Sequence, residues 1–539
     1  MSRSFTPGLR SLARLHGIQT SYLDVKAERI PASEATLRSL LHSLGVRADT
    51  PAEITNALHG AALSRMQTPV EPVFIAWDGQ LPTVEVRTCA QSKAPALVIE
   101  LEHAGTGADK HMLTSHARRE VETHGHKFTV FEYQFSGTLP PGYHSLRWET
   151  CSTQGKSLVV SAPSRCYTGE SARAEWGVFA PLYALRDEAD WGVGSYRELA
   201  RLSRWVDKND GHLIGTLPIL PCFYESDSEP SPYLPVTRLL WSEFFLDIAQ
   251  VDFLNDCTEA VDIISSSAFT DELARLNQAD RVDYPAVLKL KRRVLEALAR
   301  YAWKESSVLA AELDEFRRSH PLIIDYALFR GALEATRQRW QEWPERLRNG
   351  DLESSPAACE TRRYHEFAQW LAHRELSGIF EASNTASLYL DLPVGVHPDG
   401  YDAWRFKESH LTGVSCGAPP DTVFSTGQSW FAPPPHPTGI RESGYRYWRL
   451  CLQHHMRHCD VLRIDHVMGM HRMFCVPEGA SASEGTYIRY HPDEMYAIVC
   501  LESHRNRTAI VGEDLGTVPD AVRRAMTRHG LKRMFVLYY

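Results

Sequence analysis

Residues 459–469 read Cys-Asp-Val-Leu-Arg-Ile-Asp-His-Val-Met-Gly, which sets Arg463 and Asp465 two apart. Val461, Leu462 and Ile464 give the stretch the composition of a buried β-strand. Side chains on a strand alternate faces, so Arg463 and Asp465 point the same way. The guanidinium favours the ionised form of Asp465, the form a nucleophile must have. A second strand, Thr508-Ala-Ile-Val-Gly-Glu-Asp-Leu-Gly516, also ends in a carboxylate, Glu513, while Asp514 alternates to its other face. Carboxylates at the C-terminal ends of different parallel strands stand where barrel active sites are built. Two of them, in different protonation states, suffice for glycoside chemistry, and in a retaining enzyme they lie about 5–5.5 Å apart. Asp465 fits the nucleophile. Glu513 fits the acid/base, whose pKa its setting must raise. On spacing alone, a helix cap or a structural ion pair at either position stands equally open.

Other elements must position this pair. Parallel strands are expected near residues 178, 215, 389, 463, 511 and 536. Residues 176–181, 196–206 and 212–218 form a strand, helix, strand unit, which implies parallel pairing. The loop leaving it holds Glu229-Pro-Ser-Pro-Tyr-Leu234, whose prolines fix Tyr233 in place. The strand over residues 387–394 carries Asp391 near its end. Residues 417–435 are rich in Gly and Pro, which should exclude regular structure, and supply the rings of Phe424, Trp430 and Phe431. A long aromatic loop after a strand points to function. A helix over 445–457 leads into the Arg463 strand, and the chain closes on a strand at 533–539. Six strands fall short of the eight of a TIM-type barrel, so the expectation is an α/β (β/α)8 barrel, incomplete at the C-terminus, or a different open sheet.

Upstream, residues 1–66 read as a small helical segment, with Thr6-Pro7 and Ser33 as helix starts and Gly17 and Gly45 as stops. Residues 67–167 read as a β-sandwich: short strands at 73–77, 96–101, 128–135, 143–148 and 156–160, broken by Asp-Gly, Gly105-Thr-Gly107 and Leu-Pro-Pro-Gly. A structural module is the favoured reading there, with glycan binding by exposed aromatics as the alternative. Residues 168–539 form the barrel, with an inserted helical subdomain at about 239–383. The basic cluster Lys289, Lys291, Arg292 and Arg293 reads as a solvated helix face. His454 and His458, four apart on a helix, lack a third ligand at metal spacing and read as ordinary helix residues, and Cys416, Cys459 and Cys475 read as structural.

A net charge of −9 without a long basic run argues against nucleic acid or an anionic membrane as partner. No stretch approaches the roughly 20 apolar residues of a membrane span. The N-terminus has no apolar signal region. The 11 cysteines are odd in number, scattered and without a Cys-x-x-Cys pair, as expected of free thiols in a reducing cytoplasm.

Arg463-Ile-Asp-His466 followed by Gly512-Glu-Asp-Leu-Gly516 resembles the active-site pair of the 4-α-glucanotransferases called amylomaltases or disproportionating enzymes, glycoside hydrolase family 77. The Pro230-Ser-Pro-Tyr233 and Phe424-Ser-Thr-Gly-Gln-Ser-Trp430 loops match the same family, and the N-terminal regions resemble its larger MalQ type. The resemblance implies Asp465 as the residue that forms the covalent glucosyl-enzyme and Glu513 as acid/base. It implies that Arg463 orients Asp465, Tyr233 stacks near the sugar at the cleavage point and Asp391 lies near the donor sugar. Trp430, with the loop from Pro419, would cover the bound glucan and favour a sugar acceptor over water, and His466 would contact the same region. It implies no metal and no cofactor. The partners it implies are maltooligosaccharides and other α-1,4-glucans, with glucose as an acceptor. The family's third carboxylate, in a His-Asp pair after the seventh strand, lies beyond Tyr539, so truncation is expected. Such a chain should leave sheet edges exposed and be poorly soluble and inactive, which clear glucose release from maltotriose would contradict. The alternatives are an α-glucan hydrolase of the amylase type and an inactive, truncated glycan-binding fragment.

Overall fold

The computed structural model describes residues 6–90, 92–102, 110–150, 153–169, 176–224, 230–304, 306–353, 359–380 and 386–537. The expected turn at Gly105, Glu229 of the proline loop, residues 381–383 of the insertion and residues 538–539 of the last strand lie outside the described residues.

In chain order, the elements used below begin with helices α1 (Leu9–Leu15), α2 (Glu34–Ser43) and α3 (Pro51–Gln67). Strands β1 (Val73–Trp77), β2 (Val84–Cys89), β3 (Ala96–Glu100), β4 (Lys110–Met112), β5 (Thr114–Thr123), β6 (His126–Gln134), β7 (Gly142–Glu149) and β8 (Gln154–Ala162) follow. Next come β9 (Gly177–Phe179), α4 (Tyr196–Lys208), β10 (Leu213–Gly215), α5 (Tyr284–Lys304), α6 (Ser307–Ser319), α7 (Leu322–Thr336), α8 (Cys359–Phe380), β11 (Ser387–Leu392) and β12 (Val414–Ala418). The last are α9 (Arg446–Met456), β13 (Val461–Ile464), β14 (Arg472–Pro477), β15 (Thr486–Arg489), α10 (Pro492–Asn506), β16 (Ala509–Gly512), α11 (Asp520–Arg528) and β17 (Lys532–Arg533).

The chain divides into two compact units. One comprises residues 1–169, 408–453 and 466–539, the other residues 170–407 and 454–465.

In the first unit, Ser33 caps α2 through the backbone N–H of Thr36, and Thr50 with Glu53 forms a capping box on α3. The sandwich pairs a five-stranded sheet, β1-β8-β7-β3-β4, with a three-stranded sheet, β2-β6-β5. Alternate residues of both, including Val86, Ile99, Phe131, Leu146 and Val159, meet in one apolar core. Among its described residues the large apolar side chain most open to solvent is Met112. Residues 417–435 hold more regular structure than their composition suggested. Gly417 and Ala418 end β12, where they pair with Ser429 and Gln428, and β12, β14 and β15 form one antiparallel sheet. Gly417 serves that pairing, since a Cβ there would sit 2.1 Å from the Gln428 carbonyl oxygen. β16 and β17 pair in parallel at Val511 with Lys532 and Gly512 with Arg533. The final strand stops at Arg533 instead of running through residues 533–539. The Met534 N–H goes to the Asp514 carboxylate, and Phe535 and Leu537 are exposed.

The second unit carries four parallel strands in the order β9-β10-β11-β13. Ser195, joined to Glu198 in a capping box, starts α4 and completes the β9-α4-β10 crossover. Helices α5 to α8 lie in the insertion, together with shorter helices at Thr258–Ser265, Ser267–Asn277 and Glu345–Arg348. Its basic cluster is not a uniformly solvated face. Lys291 is 1% exposed and donates to the carbonyls of Phe244 at 2.7 Å and Leu246 at 2.9 Å. Helical spacing puts Lys291 between the inward-facing Leu290 and Val294, so the pattern of α5 decides its burial rather than its charge.

Candidate active site

In the second unit, β11 and β13 lie side by side with Asp391 as the register partner of Arg463. Arg463 Nη1 donates to both oxygens of Asp391, at 2.6 and 2.7 Å. Its Nη2 lies 2.7 Å from Asp465 Oδ1. The two-residue spacing thus puts Arg463 and Asp465 on one face, as read from the sequence, and the same guanidinium also holds a carboxylate from the neighbouring strand. Tyr233 completes the group by donating its hydroxyl to Asp391 Oδ2 at 2.7 Å. The Asp465 N–H donates to the Leu392 carbonyl at 3.0 Å, which fixes the backbone just past β13. The carboxylates differ in exposure: the Asp391 side chain is 1% exposed and that of Asp465 is 20% exposed. Asp391 is the anchored partner and Asp465 the accessible one.

Burial pushes Asp391 up to about 6, against the pull of Arg463 and the Tyr233 hydroxyl. Burial and the Asp391 charge push Tyr233 well above the usual phenol range, so its proton stays on. Burial alone would lower Arg463, but the two carboxylates hold it well above its ordinary value. A permanently charged fork between two carboxylates is a task for arginine, not lysine.

In the first unit, Glu513 follows β16 directly. Its Oε2 accepts from the His466 N–H at 3.1 Å and its Oε1 from the Leu515 N–H at 2.7 Å. The Val467 N–H donates to the Glu513 carbonyl at 3.1 Å. Backbone therefore orients this carboxylate on both sides. His466 adopts φ 49°, a left-handed conformation uncommon for a residue with a side chain. Its ring stands edge-on to Trp430 at 5.0 Å between centroids. Burial, helped by Arg472, lowers His466 to about 4, so the ring is neutral near pH 7. Its Nε2 is buried and has no hydrogen-bond partner among the described residues. Trp430 is fixed by its Nε1 donating to Gln428 Oε1 at 3.1 Å and by its N–H donating to the Cys416 carbonyl at 2.8 Å.

Tyr233, Asp391, Arg463 and Asp465 thus form one cluster, and Trp430, His466 and Glu513 another. Sequence reasoning missed the bond from Arg463 to Asp391, for which the strand register is the signal. Phe431, one of the rings named from the sequence, is 70% exposed at φ 60° directly after Trp430. Asp514 is a structural ion pair, with Arg533 Nε at 2.6 Å and Arg523 Nε at 3.4 Å. His454 packs its ring on Trp241 at 4.0 Å, and Cys416, Cys459 and Cys475 are buried.

A family profile described as 4-alpha-glucanotransferase matches residues 180–539, and one described as the MalQ N-terminal beta sandwich domain matches residues 69–163. The chain belongs to the 4-alpha-glucanotransferase family, glycoside hydrolase family 77. Relatives named 4-alpha-glucanotransferase include one from Mycobacterium tuberculosis, 30% identical over 99% of this chain and 75% of its own length. Another, from Haemophilus influenzae, is 29% identical over 74% of this chain and 61% of its own length. The amylomaltase of Corynebacterium glutamicum superposes with a TM-score of 0.85 and 26% identity, covering 98% of this chain and 75% of that one. An amylomaltase from Streptococcus agalactiae, solved with acarbose, shares the fold at a TM-score of 0.59 and 21% identity, covering 68% of this chain and 73% of that one. The fold of this 4-alpha-glucanotransferase family member is accordingly of the (β/α)8 type, preceded by a β-sandwich.

Proposed function

We propose that this family member transfers a segment of an α-1,4-glucan to the 4-hydroxyl of a second glucan or of glucose, with retention at the anomeric carbon. Asp465 attacks that carbon while Glu513 protonates the departing glycosidic oxygen, and the donor segment stays on Asp465 as an ester. Glu513 then takes the proton of the incoming 4-hydroxyl, whose oxygen displaces Asp465. Arg463 keeps Asp465 ionised and aimed, and Asp391 and Tyr233 hold Arg463 and meet the donor sugar. Trp430 and His466 line the acceptor side. The barrel occupies residues 168–539, with the helical segment at 1–66 and the sandwich at 67–167, and the reaction takes place in the cytoplasm on maltooligosaccharides.

The observation that carries this reading is the Arg463 fork, which bonds a buried carboxylate with one nitrogen and an accessible carboxylate with the other. That arrangement supports a nucleophile held ionised. Incubating the completed protein with maltotriose tests it. Transfer gives glucose together with oligosaccharides longer than the substrate, whereas a hydrolase of the amylase type only shortens it.

A further inference from the structure

Away from the carboxylates, the first unit holds a pair of sulfurs that the glycosyl chemistry does not use. Cys166 Sγ and Cys500 Sγ lie 3.5 Å apart, although the residues are far apart in the chain. Cys166 is 3% exposed and Cys500 0%. The segment that leaves β8 is strapped to α10 on either side of this contact. The Arg165 carbonyl meets His504 Nε2 at 2.9 Å, and the Tyr167 N–H donates to Ser503 Oγ at 2.9 Å. Just past α11, the His529 carbonyl accepts the Cys166 N–H at 2.8 Å. The His529 ring is stacked between Trp77 and Tyr496, each 4.8 Å away. Its Nδ1 lies 2.8 Å from the Ser164 carbonyl, which can only accept, so Nδ1 carries the proton and Nε2 is left as the acceptor. Burial alone would lower this ring, but the Cys500 sulfur and the Ser164 carbonyl raise its pKa.

We propose that Cys166 and Cys500 are an oxidisable dithiol pair, which a hydroperoxide converts into an intramolecular disulfide tying residues 164–167 to α10. Closing the sulfurs from 3.5 Å to the bonded separation of about 2.0 Å is a side-chain movement between two backbones already fixed to each other. Cys166, the sulfur with residual exposure, attacks the peroxide. The O–O bond breaks, an alcohol leaves with the thiol proton, and Cys166 becomes a sulfenic acid. Cys500 then attacks that sulfur. The S–O bond breaks, and the hydroxyl leaves as water with the Cys500 proton. Two thiols and one hydroperoxide thus give one disulfide, one alcohol and one water, and the two electrons lost by sulfur reduce the O–O bond.

The test is hydrogen peroxide on the full folded chain, followed by alkylation of remaining thiols, unfolding, digestion without reductant and mass spectrometry. The expected result is a cross-linked peptide pair containing Cys166 and Cys500, lost on adding dithiothreitol and absent from Cys166→Ser and Cys500→Ser. Recovery of both cysteines alkylated, while the exposed Cys89 and Cys359 are oxidised, would overturn the proposal. So would recovery of either one as a sulfinic acid without the cross-link.

Discussion

Arg463 serves two carboxylates at once, and its replacement separates charge from shape. Lysine keeps the charge but offers a single nitrogen, so it can reach Asp391 or Asp465 but not both. Arg463→Lys should lower kcat by roughly a hundredfold or more, the scale seen when one preorganised donor at a reacting centre is removed, while glucan binding falls much less. Steady-state kinetics with maltotriose checks this, and an unchanged kcat would free the guanidinium of its role. Asp391 adds a pH dependence. Its folded-state pKa of about 6 lies above its ordinary value of 3.8. Acidification through pH 6 therefore protonates Asp391 and weakens its hold on Arg463. Activity should fall on the acid side with an inflection near pH 6, and Asp391→Asn should abolish that inflection while lowering the plateau. An acid limb that persists in Asp391→Asn would assign it to another group.

At the scale of the elements, Lys291 shows that burial of a charge can be set by helix pattern. Its ammonium bonds two carbonyls of a 3-10 turn and its C-cap, those of Phe244 and Leu246. Burial lowers it to about 8, against the pull of Glu375 and Asp247. Removing the donor leaves both carbonyls without this partner, at about 1–3 kcal/mol for each buried group. Lys291→Ala should therefore lower the urea midpoint clearly, and Lys289→Ala, on the exposed side of α5, should not. Equal midpoints would contradict the packing described for Lys291. The same element shows what the sequence carried and what it hid. Apolar spacing marked α5, and strand alternation put Arg463 and Asp465 on one face, because both patterns are local. The Asp391–Arg463 bond was not legible, because the register between two strands joined through a long connection is set by tertiary packing. The end of β17 was missed for a similar reason: an apolar run over residues 533–539 reads as strand, but the Met534 N–H is taken by Asp514. In residues 417–435, Gly and Pro suggested irregular loop, whereas Gly417 is what lets β12 approach Gln428 so closely.

At the scale of the molecule, the second unit packs together a row of half-buried imidazoles. His320 and His373 lie 4.9 Å apart, His373 and His458 5.6 Å, and His454 packs on Trp241. Burial lowers His373 to about 4 and His458 to about 3, and lowers His454 well below its ordinary value. The unfolded chain then binds more protons than the folded one below the ordinary histidine value of 6.5. Stability from these rings is complete above pH 6.5 and is lost as pH falls towards 4. After discounting for partial exposure, the loss is on the order of 1 kcal/mol per ring by pH 5. Thermal melts at pH 7 and pH 5 should show a lower Tm at pH 5, and a Tm that rises on acidification would contradict neutral buried rings. Within the first unit Glu513 is held by two backbone N–H groups, and within the second Asp465 is held by Arg463. Retention by double displacement requires Asp465 to become covalently glycosylated. Mass spectrometry of the Glu513→Gln variant after incubation with α-maltosyl fluoride, a donor whose leaving group needs no acid, tests that most directly. The predicted result is a maltosyl ester on the peptide containing Asp465, absent when Asp465 is also changed to Asn. An ester on another residue, or none while fluoride is released, would contradict it.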